Sequence, residues 1–140
     1  MRWFTLLLAA ACTYAVNGST FRTQESATAF ERAVAAMAQH CHGVRDVNAE
    51  AGIVTSRWQV YHSREGAYLG RCQVSVWKAD DEAGAEVRVA VTTKKCPLVD
   101  LEDLDALGAS PTCEVTFSMP GEVATGQSLA VQHIETDVRR

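Results

Sequence analysis

The sequence predicts an α+β fold, in which an N-terminal and a C-terminal helix pack on one face of a four- or five-stranded antiparallel meander to give a two-layer domain. Three observations support this fold class. An apolar stripe at helical spacing precedes residue 43, apolar and polar residues alternate between residues 44 and 95, and a second helical pattern lies near the C-terminus. The chain has 140 residues, of which 47% are hydrophobic and 21% charged, as is typical of one globular domain.

The first helix is predicted to begin at Thr28, which forms a capping-box pattern with Glu31, and to continue to His40. Gly43 is expected at its C-terminal cap. The apolar stripe comprises four residues at helical spacing, namely Phe30, Val34, Met37 and Cys41. This helix therefore buries one face, and Cys41 lies at the end of that face.

Four segments with the alternation of strands follow, at residues 44–47, 53–62, 68–78 and 86–95. In the second segment, four residues are expected on one face: Val54, Ser56, Trp58 and Val60. In the third, Cys72, Val74 and Val76 share a face. The turns between the segments are polar and mostly contain glycine, so the segments are expected to form a meander whose second face contacts water.

The pattern is weaker beyond Cys96. A run of leucines among acidic residues predicts a short helix that ends at Gly108, and residues 113–117 predict a short extra strand. A final amphipathic helix is expected to begin near Gly126. Its inward positions are Leu129 or Ala130, followed by Ile134 and Val138.

The N-terminus has the pattern of a secretory signal peptide at residues 1–11, because Arg2 precedes a short apolar run that ends in small residues. The run is too short to span a bilayer as a helix, which needs about 20 apolar residues. Cys12 stands where a bacterial lipoprotein signal carries the acylated cysteine, so it is the predicted lipidation site. The alternatives are an ordinary signal peptide that leaves Cys12 as a thiol, and a buried N-terminal strand. Residues 12–27 are expected to form a flexible tether, and residues 28–140 the single α+β domain.

Four cysteines remain if Cys12 is acylated, and an even number in an oxidising compartment favours disulfide bonds. Four cysteines allow three connectivities. The preferred one joins Cys41, on the helix face that covers the sheet, to Cys72, on a strand beneath it. The second pair would be Cys96–Cys113, which closes the irregular connection. Four independent buried thiols are the alternative.

Residues with catalytic or ligand chemistry crowd together only at His40-Cys41-His42. Adjacent helical residues point about 100° apart, so the three cannot converge on one metal within the helix, and no paired zinc spacing occurs. No nucleophile elbow, phosphate-binding loop or dinucleotide fingerprint is present. We therefore expect no catalytic residues, metal or cofactor. A thiol- or metal-dependent protein centred on these three residues is the alternative.

The segment at residues 44–58, VRDVNAEAGIVTSRW, follows a helix and combines a polar, glycine-ended turn with a strand. It resembles the helix-grip (BamC-like) domains of bacterial envelope lipoproteins over residues 28–95. The two predicted disulfides and the acidic segment at residues 98–108 depart from that family. The resemblance implies a non-catalytic accessory or scaffolding module and brings no catalytic residues with it.

The expected function is that of an exported, lipid-anchored, non-enzymatic envelope protein in the periplasm or outer membrane. Its expected partners are envelope proteins or cell-wall components, with the membrane contacted through the acyl anchor only. Basic residues are scattered along a chain of net charge −4, which argues against nucleic acid as a partner. A small-ligand carrier is a further alternative, because a sheet that grips a helix can leave a cleft.

Overall fold

A seven-stranded antiparallel sheet forms the centre of the computed structural model, which describes residues 17–23, 27–64, 66–78, 84–96, 104–109 and 112–139. The strands are β1 (Asn17–Thr23), β2 (Val44–Asn48), β3 (Ile53–Ser56), β4 (Gln59–Ser63), β5 (Gly66–Lys78), β6 (Ala85–Cys96) and β7 (Glu114–Val115). The helices are α1 (Ala29–His40), α2 (Leu104–Gly108) and α3 (Gly121–Arg139).

The order of the strands is β1-β6-β5-β3-β2, with β4 also paired to β5 and β7 to β6. The prediction of a four- or five-stranded meander is therefore wrong, although the helices and the antiparallel sheet agree with an α+β fold. The prediction missed β1, and it treated β3 and β4 as one strand. The extra strand expected at residues 113–117 is present as β7.

Strand β1 lies in the segment that was expected to be a flexible tether. It pairs along its whole length with β6, from Asn17 opposite Val91 to Thr23 opposite Ala85. Phe21 and Thr23 are buried, because alternate residues of this edge strand face the core. The tether prediction is thus wrong for residues 17–23. The predicted signal peptide and Cys12 lie outside the described residues.

Strands β3 and β4 both pair with β5 but are separated by a β-bulge. Thr55 lies opposite Gln73, and Gln59 lies opposite Gly70. Ser56 accepts a hydrogen bond from the backbone nitrogen of Cys72 (2.9 Å), so two residues, 57 and 58, fall opposite position 71. The extra residue reverses the alternation. The prediction that Val54, Ser56, Trp58 and Val60 share one face is therefore wrong.

Helices α1 and α3 pack side by side on one face of the sheet and enclose the main core. Met37 of α1 and Ile134 and Val138 of α3 contribute fully buried side chains. The sheet contributes valines from β3, β5 and β6, together with Cys72. This packing buries the apolar stripes of both helices, which is where amphipathic helices gain most of their stability.

The N-terminal ends of the two long helices differ from the prediction. Thr28 occupies the N-cap of α1, but its side chain makes no capping bond to the backbone and accepts a hydrogen bond from Arg32 instead. Helix α3 begins at Gly121, five residues before Gly126. Gly126 lies inside the helix and packs against the Tyr61 ring, where a Cβ would come within 3.2 Å of it. Ala130 faces inward, whereas Leu129 is 50% exposed.

Candidate functional site

The second face of the sheet is half covered, so it is not the uniformly wet face that the alternation predicts. Four buried side chains form a second core there: Trp58, Leu69, Cys96 and Cys113. Val60 and Leu104 pack against them. A disulfide bond joins Cys96 to Cys113, as predicted, and links the end of β6 to the start of β7. We call this disulfide-linked region the covered corner.

Trp58 is the centre of the covered corner, and two basic side chains lie over its ring. The Arg71 guanidinium is 4.6 Å and the Lys94 ammonium 5.4 Å from the ring centre, within the range of cation–π attraction. Lys94 also donates a hydrogen bond to the carbonyl of Gly108. Gly108 packs so closely on the indole that a Cβ at this position would overlap it.

Side chains of β2 and β3, among them Asp46 and Thr55, also point to this face. Small, polar and charged side chains on β1, β5 and β6 form the rest of it. We call it the open half-face and define it by ten residues: Gly18, Thr20, Arg22, Gln73, Ser75, Trp77, Glu86, Arg88, Ala90 and Thr92. The strand register places Arg88 at its centre, between Thr20 and Ser75. Each of these side chains is exposed or half-buried, and Trp77 is 42% exposed.

The charge on this face is opposite in sign to that of the whole chain. The described side chains that the strands direct to it include four basic groups, Arg22, Arg71, Arg88 and Lys94, and two acidic groups, Glu86 and Asp46. The chain has 17 acidic and 13 basic residues. The face therefore presents a local positive field that attracts anionic groups.

Cys41 and Cys72, which were expected to form a disulfide, lie side by side under α1 as two unbonded thiols. Their Sγ atoms are 2.6 Å apart, and the side chains are 2% and 8% exposed. In the thiol form, the pKa of Cys41 lies far above its usual range. The hydrogen bond with Cys72 is the largest cause, and burial is the second. The hydrogen bond from Cys41 lowers the pKa of Cys72 against the opposing effect of burial. Neither sulfur is placed to attack a substrate in solvent.

The three residues of the predicted His-Cys-His cluster do not converge. Cys41 faces the core, and His42 is exposed with a left-handed φ of 56°. His40 turns to α3, where its Nε2 lies 2.7 Å from Oδ2 of Asp137 and its ring stacks on His133 at 5.0 Å between centroids. Among the described residues, no three His, Cys, Asp or Glu side chains are grouped so as to hold a metal ion.

A cavity of about 430 Å³ opens at the end of the sheet beside the first turn of α1. Phe30, Val76 and Trp77 supply apolar surface, and Glu50 and Lys78 supply one charge of each sign. Gly52, at φ 69°, brings the β2–β3 turn against the backbone of Val76. The cavity has the size of a small-molecule site, it is open to solvent, and polar groups form nearly half of its wall.

Of the acidic residues in the segment 98–108, the structure describes Asp105, whose carboxylate lies 3.6 Å from the Arg45 guanidinium. The residues of the open half-face were not predicted as a site. Their only sequence signal is the alternation of polar residues along the strands. That alternation also describes any solvated sheet face, so the site becomes visible only when the strand order brings Arg22, Arg88 and Arg71 onto one surface.

Comparisons with known proteins give no relative. No protein-family model matches the chain, and a search of curated proteins finds no match. The resemblance to helix-grip lipoprotein domains therefore stays a prediction. In the part of the chain that the structure describes, no helix has the length and apolar character needed to cross a bilayer.

Proposed function

We propose that this protein is an exported, non-enzymatic interaction module of a bacterial envelope, and that the open half-face binds its partner. The observation that carries the proposal is the excess of basic side chains on this side of the sheet in a chain of net charge −4. The open half-face holds Arg22 and Arg88 against Glu86, and Arg71 and Lys94 lie beside it over Trp58. The partner is an envelope protein or a cell-wall component with an anionic surface. Such complementarity speeds association and selects the partner by charge.

The shape of the surface supports the same proposal. β1, β6 and β5 are neighbours in the sheet, so their outward side chains form a continuous platform. Arg88 lies at its centre and the exposed Trp77 at one side. Arginine and tryptophan are the residues most enriched among those that dominate binding energies at interfaces.

Export is supported by the N-terminal sequence and by the disulfide chemistry. Residues 1–11 have the pattern of a signal peptide and precede Cys12, and disulfides such as Cys96–Cys113 persist mainly in oxidising compartments. The mass of the protein from its host's membrane fraction tests this part. A chain that starts at an acylated Cys12 is expected, whereas a chain that retains residues 1–11 would contradict export through this signal.

Charge reversal tests the binding surface. The variant Arg88→Glu places a carboxylate at the centre of the open half-face, and Arg64→Glu makes the same change at an exposed residue of the β4–β5 turn. Purified protein is mixed with the isolated envelope fraction of the host, and the bound fraction is measured by sedimentation. Arg88→Glu is expected to reduce binding at least tenfold, about 1.4 kcal/mol, and Arg64→Glu to leave it unchanged. Equal binding by both variants would contradict the proposal.

The cavity at the end of the sheet favours a second candidate function, a small-ligand carrier. Its lining suits a compact ligand with both polar and apolar groups, because Glu50 and Lys78 lie beside Phe30, Val76 and Trp77. A thermal-shift screen with lipids and sugars tests it, with Ala51→Trp to fill the cavity and Ala38→Trp as a control on the exposed side of α1. A hit that Ala51→Trp abolishes supports the carrier. A hit that survives this change rules the cavity out as its site.

A further inference from the structure

We infer that Cys41 and Cys72 are joined by a disulfide bond, which clamps the C-terminal end of α1 to the central strand β5. The Sγ–Sγ distance of 2.6 Å is the first observation. It is closer to the length of a disulfide, about 2.05 Å, than to the separation of two unbonded sulfur atoms in contact. A small approach of the two sulfur atoms completes the bond.

The backbone holds both cysteines in place for this bond. The nitrogen of Cys41 donates to the carbonyl of Met37 (3.0 Å), which continues the last turn of α1. Cys72 lies opposite Val91 of β6, and on its other side its nitrogen donates to Ser56 (2.9 Å). The sulfur atoms are thus brought together by a helix end and a doubly paired strand, not by mobile loops.

Burial favours the bonded form over two thiols. Both side chains belong to the main core, among valines of the sheet and Met37 of the helix. A disulfide has no proton to donate and no charged form, so it suits an apolar site better than two thiols at this separation. The bond spans 31 residues and ties the helix layer to the sheet layer.

The bond forms by exchange with an external disulfide, either a small molecule or an oxidoreductase. The thiolate of one cysteine attacks that disulfide, and one external thiol leaves. The second cysteine then attacks the mixed disulfide and releases the other external thiol. Two electrons and two protons pass from Cys41 and Cys72 to the two released thiols. Because both sulfurs are buried, we place these steps before α1 docks on the sheet.

The Cys41–Cys72 bond lies on the helix side of the sheet, opposite the open half-face, so the inference is independent of the proposed binding surface; it rests on the export part of the proposed function, because a disulfide persists in an oxidising compartment. A tryptic map of the unreduced protein tests it. The protein is isolated from its host, blocked with a thiol alkylating reagent under denaturing conditions, and digested. Cleavage after Arg and Lys places Cys41 in the peptide 33–45 and Cys72 in the peptide 72–78, whereas Cys96 and Cys113 share the peptide 96–139.

The expected product is peptide 33–45 linked to peptide 72–78, with a mass two hydrogens below the sum of the two, and it disappears on reduction. Two separately alkylated peptides would overturn the inference, as would a link from either of them to peptide 96–139. The internal bond of peptide 96–139 serves as the control for the compartment. If this bond is intact while Cys41 and Cys72 are alkylated, the inference of a Cys41–Cys72 bond is wrong and the proposal of export is unaffected. If all four cysteines are alkylated, both are contradicted.

Discussion

The guanidinium of Arg71 lies 4.6 Å from the centre of the Trp58 ring, on the face of the sheet opposite the two long helices. This contact exists because the bulge between β3 and β4 places two residues opposite one. Without the extra residue, Trp58 would follow Val54 and Ser56 to the helix side. The insertion of one residue thus turns Trp58 to the second face, where its ring is the centre of the covered corner. It thereby determines how much of that face stays open.

The close packing of Gly108 on Trp58 predicts a penalty for any side chain at position 108. Gly108→Ala is expected to lower the free energy of unfolding by about 1–3 kcal/mol, because the added methyl group overlaps the indole. Urea denaturation measures the change. Gly121→Ala is the matched control, since a Cβ at the start of α3 meets no atom within 4 Å. Equal stability of the two variants would show that the indole does not pack on position 108.

The disulfide bond Cys96–Cys113 is expected to hold the covered corner over Trp58. The double variant Cys96→Ser/Cys113→Ser should lose about 3 kcal/mol, the chain-entropy estimate for a loop of this size. Tryptophan emission should shift to the red as the indole becomes hydrated. The Trp77→Phe background removes the signal of the exposed tryptophan on the same face. Unchanged emission with unchanged stability would mean that the corner stays closed without the bond.

Ser56 replaces a missing backbone partner at the bulge. Its hydroxyl accepts from the nitrogen of Cys72 and donates to the carbonyl of Arg57, both at 2.9 Å. Ser56→Ala is expected to cost about 1–3 kcal/mol, because the Cys72 amide is left buried without its partner. Ser128→Ala, on the exposed side of α3, should change stability little. Amide hydrogen exchange gives the local readout, and unchanged protection of Cys72 would refute this role.

The raised pKa of Tyr61 predicts that the folded protein loses stability in alkali. Burial is the largest cause that raises its pKa from 10 to about 12. The unfolded chain therefore releases the phenolic proton near pH 10 while the folded protein keeps it, so stability falls as the pH rises from 10 to 12. Urea midpoints across this range measure the slope. Tyr61→Phe should reduce the slope, and an identical slope in the variant would contradict the raised pKa.

Local patterns predicted much of the fold. The predicted first helix ends at His40, as α1 does. Its position was predictable because the signals are local: four apolar residues at helical spacing, followed by Gly43. Strands β5 and β6 follow the predicted segments closely, since each alternates over more than ten residues. The Cys96–Cys113 disulfide was also predicted, from the position of the two cysteines at the ends of an irregular connection.

Features that depend on distant partners were missed. Strand β1 carries few apolar residues, and it becomes a strand because β6 offers a free edge to it. The bulge was not predictable from the sequence. Residues 53–62 alternate without a break, so nothing at Arg57 or Trp58 shows that an extra residue is present. The early start of α3 was missed because Gly126 was taken for the start of the helix, whereas it lies inside the helix and packs against the Tyr61 ring.

The candidate site was hidden for the same reason. Arg22, Arg71 and Arg88 are far apart in the sequence, and each stands among residues of ordinary strand alternation. Only the strand order β1-β6-β5 places them on one surface. The chain-wide charge balance, which is acidic, indicated no basic surface at all.

Photo-crosslinking in living cells tests the central claim, that the open half-face binds the partner, most directly. A photoreactive amino acid replaces Gln73, on the open half-face, or Gln132, on the exposed side of α3. We expect a discrete crosslinked product from position 73, weakened by Arg88→Glu, and none from position 132. No product from position 73, or the same product from both positions, would contradict it.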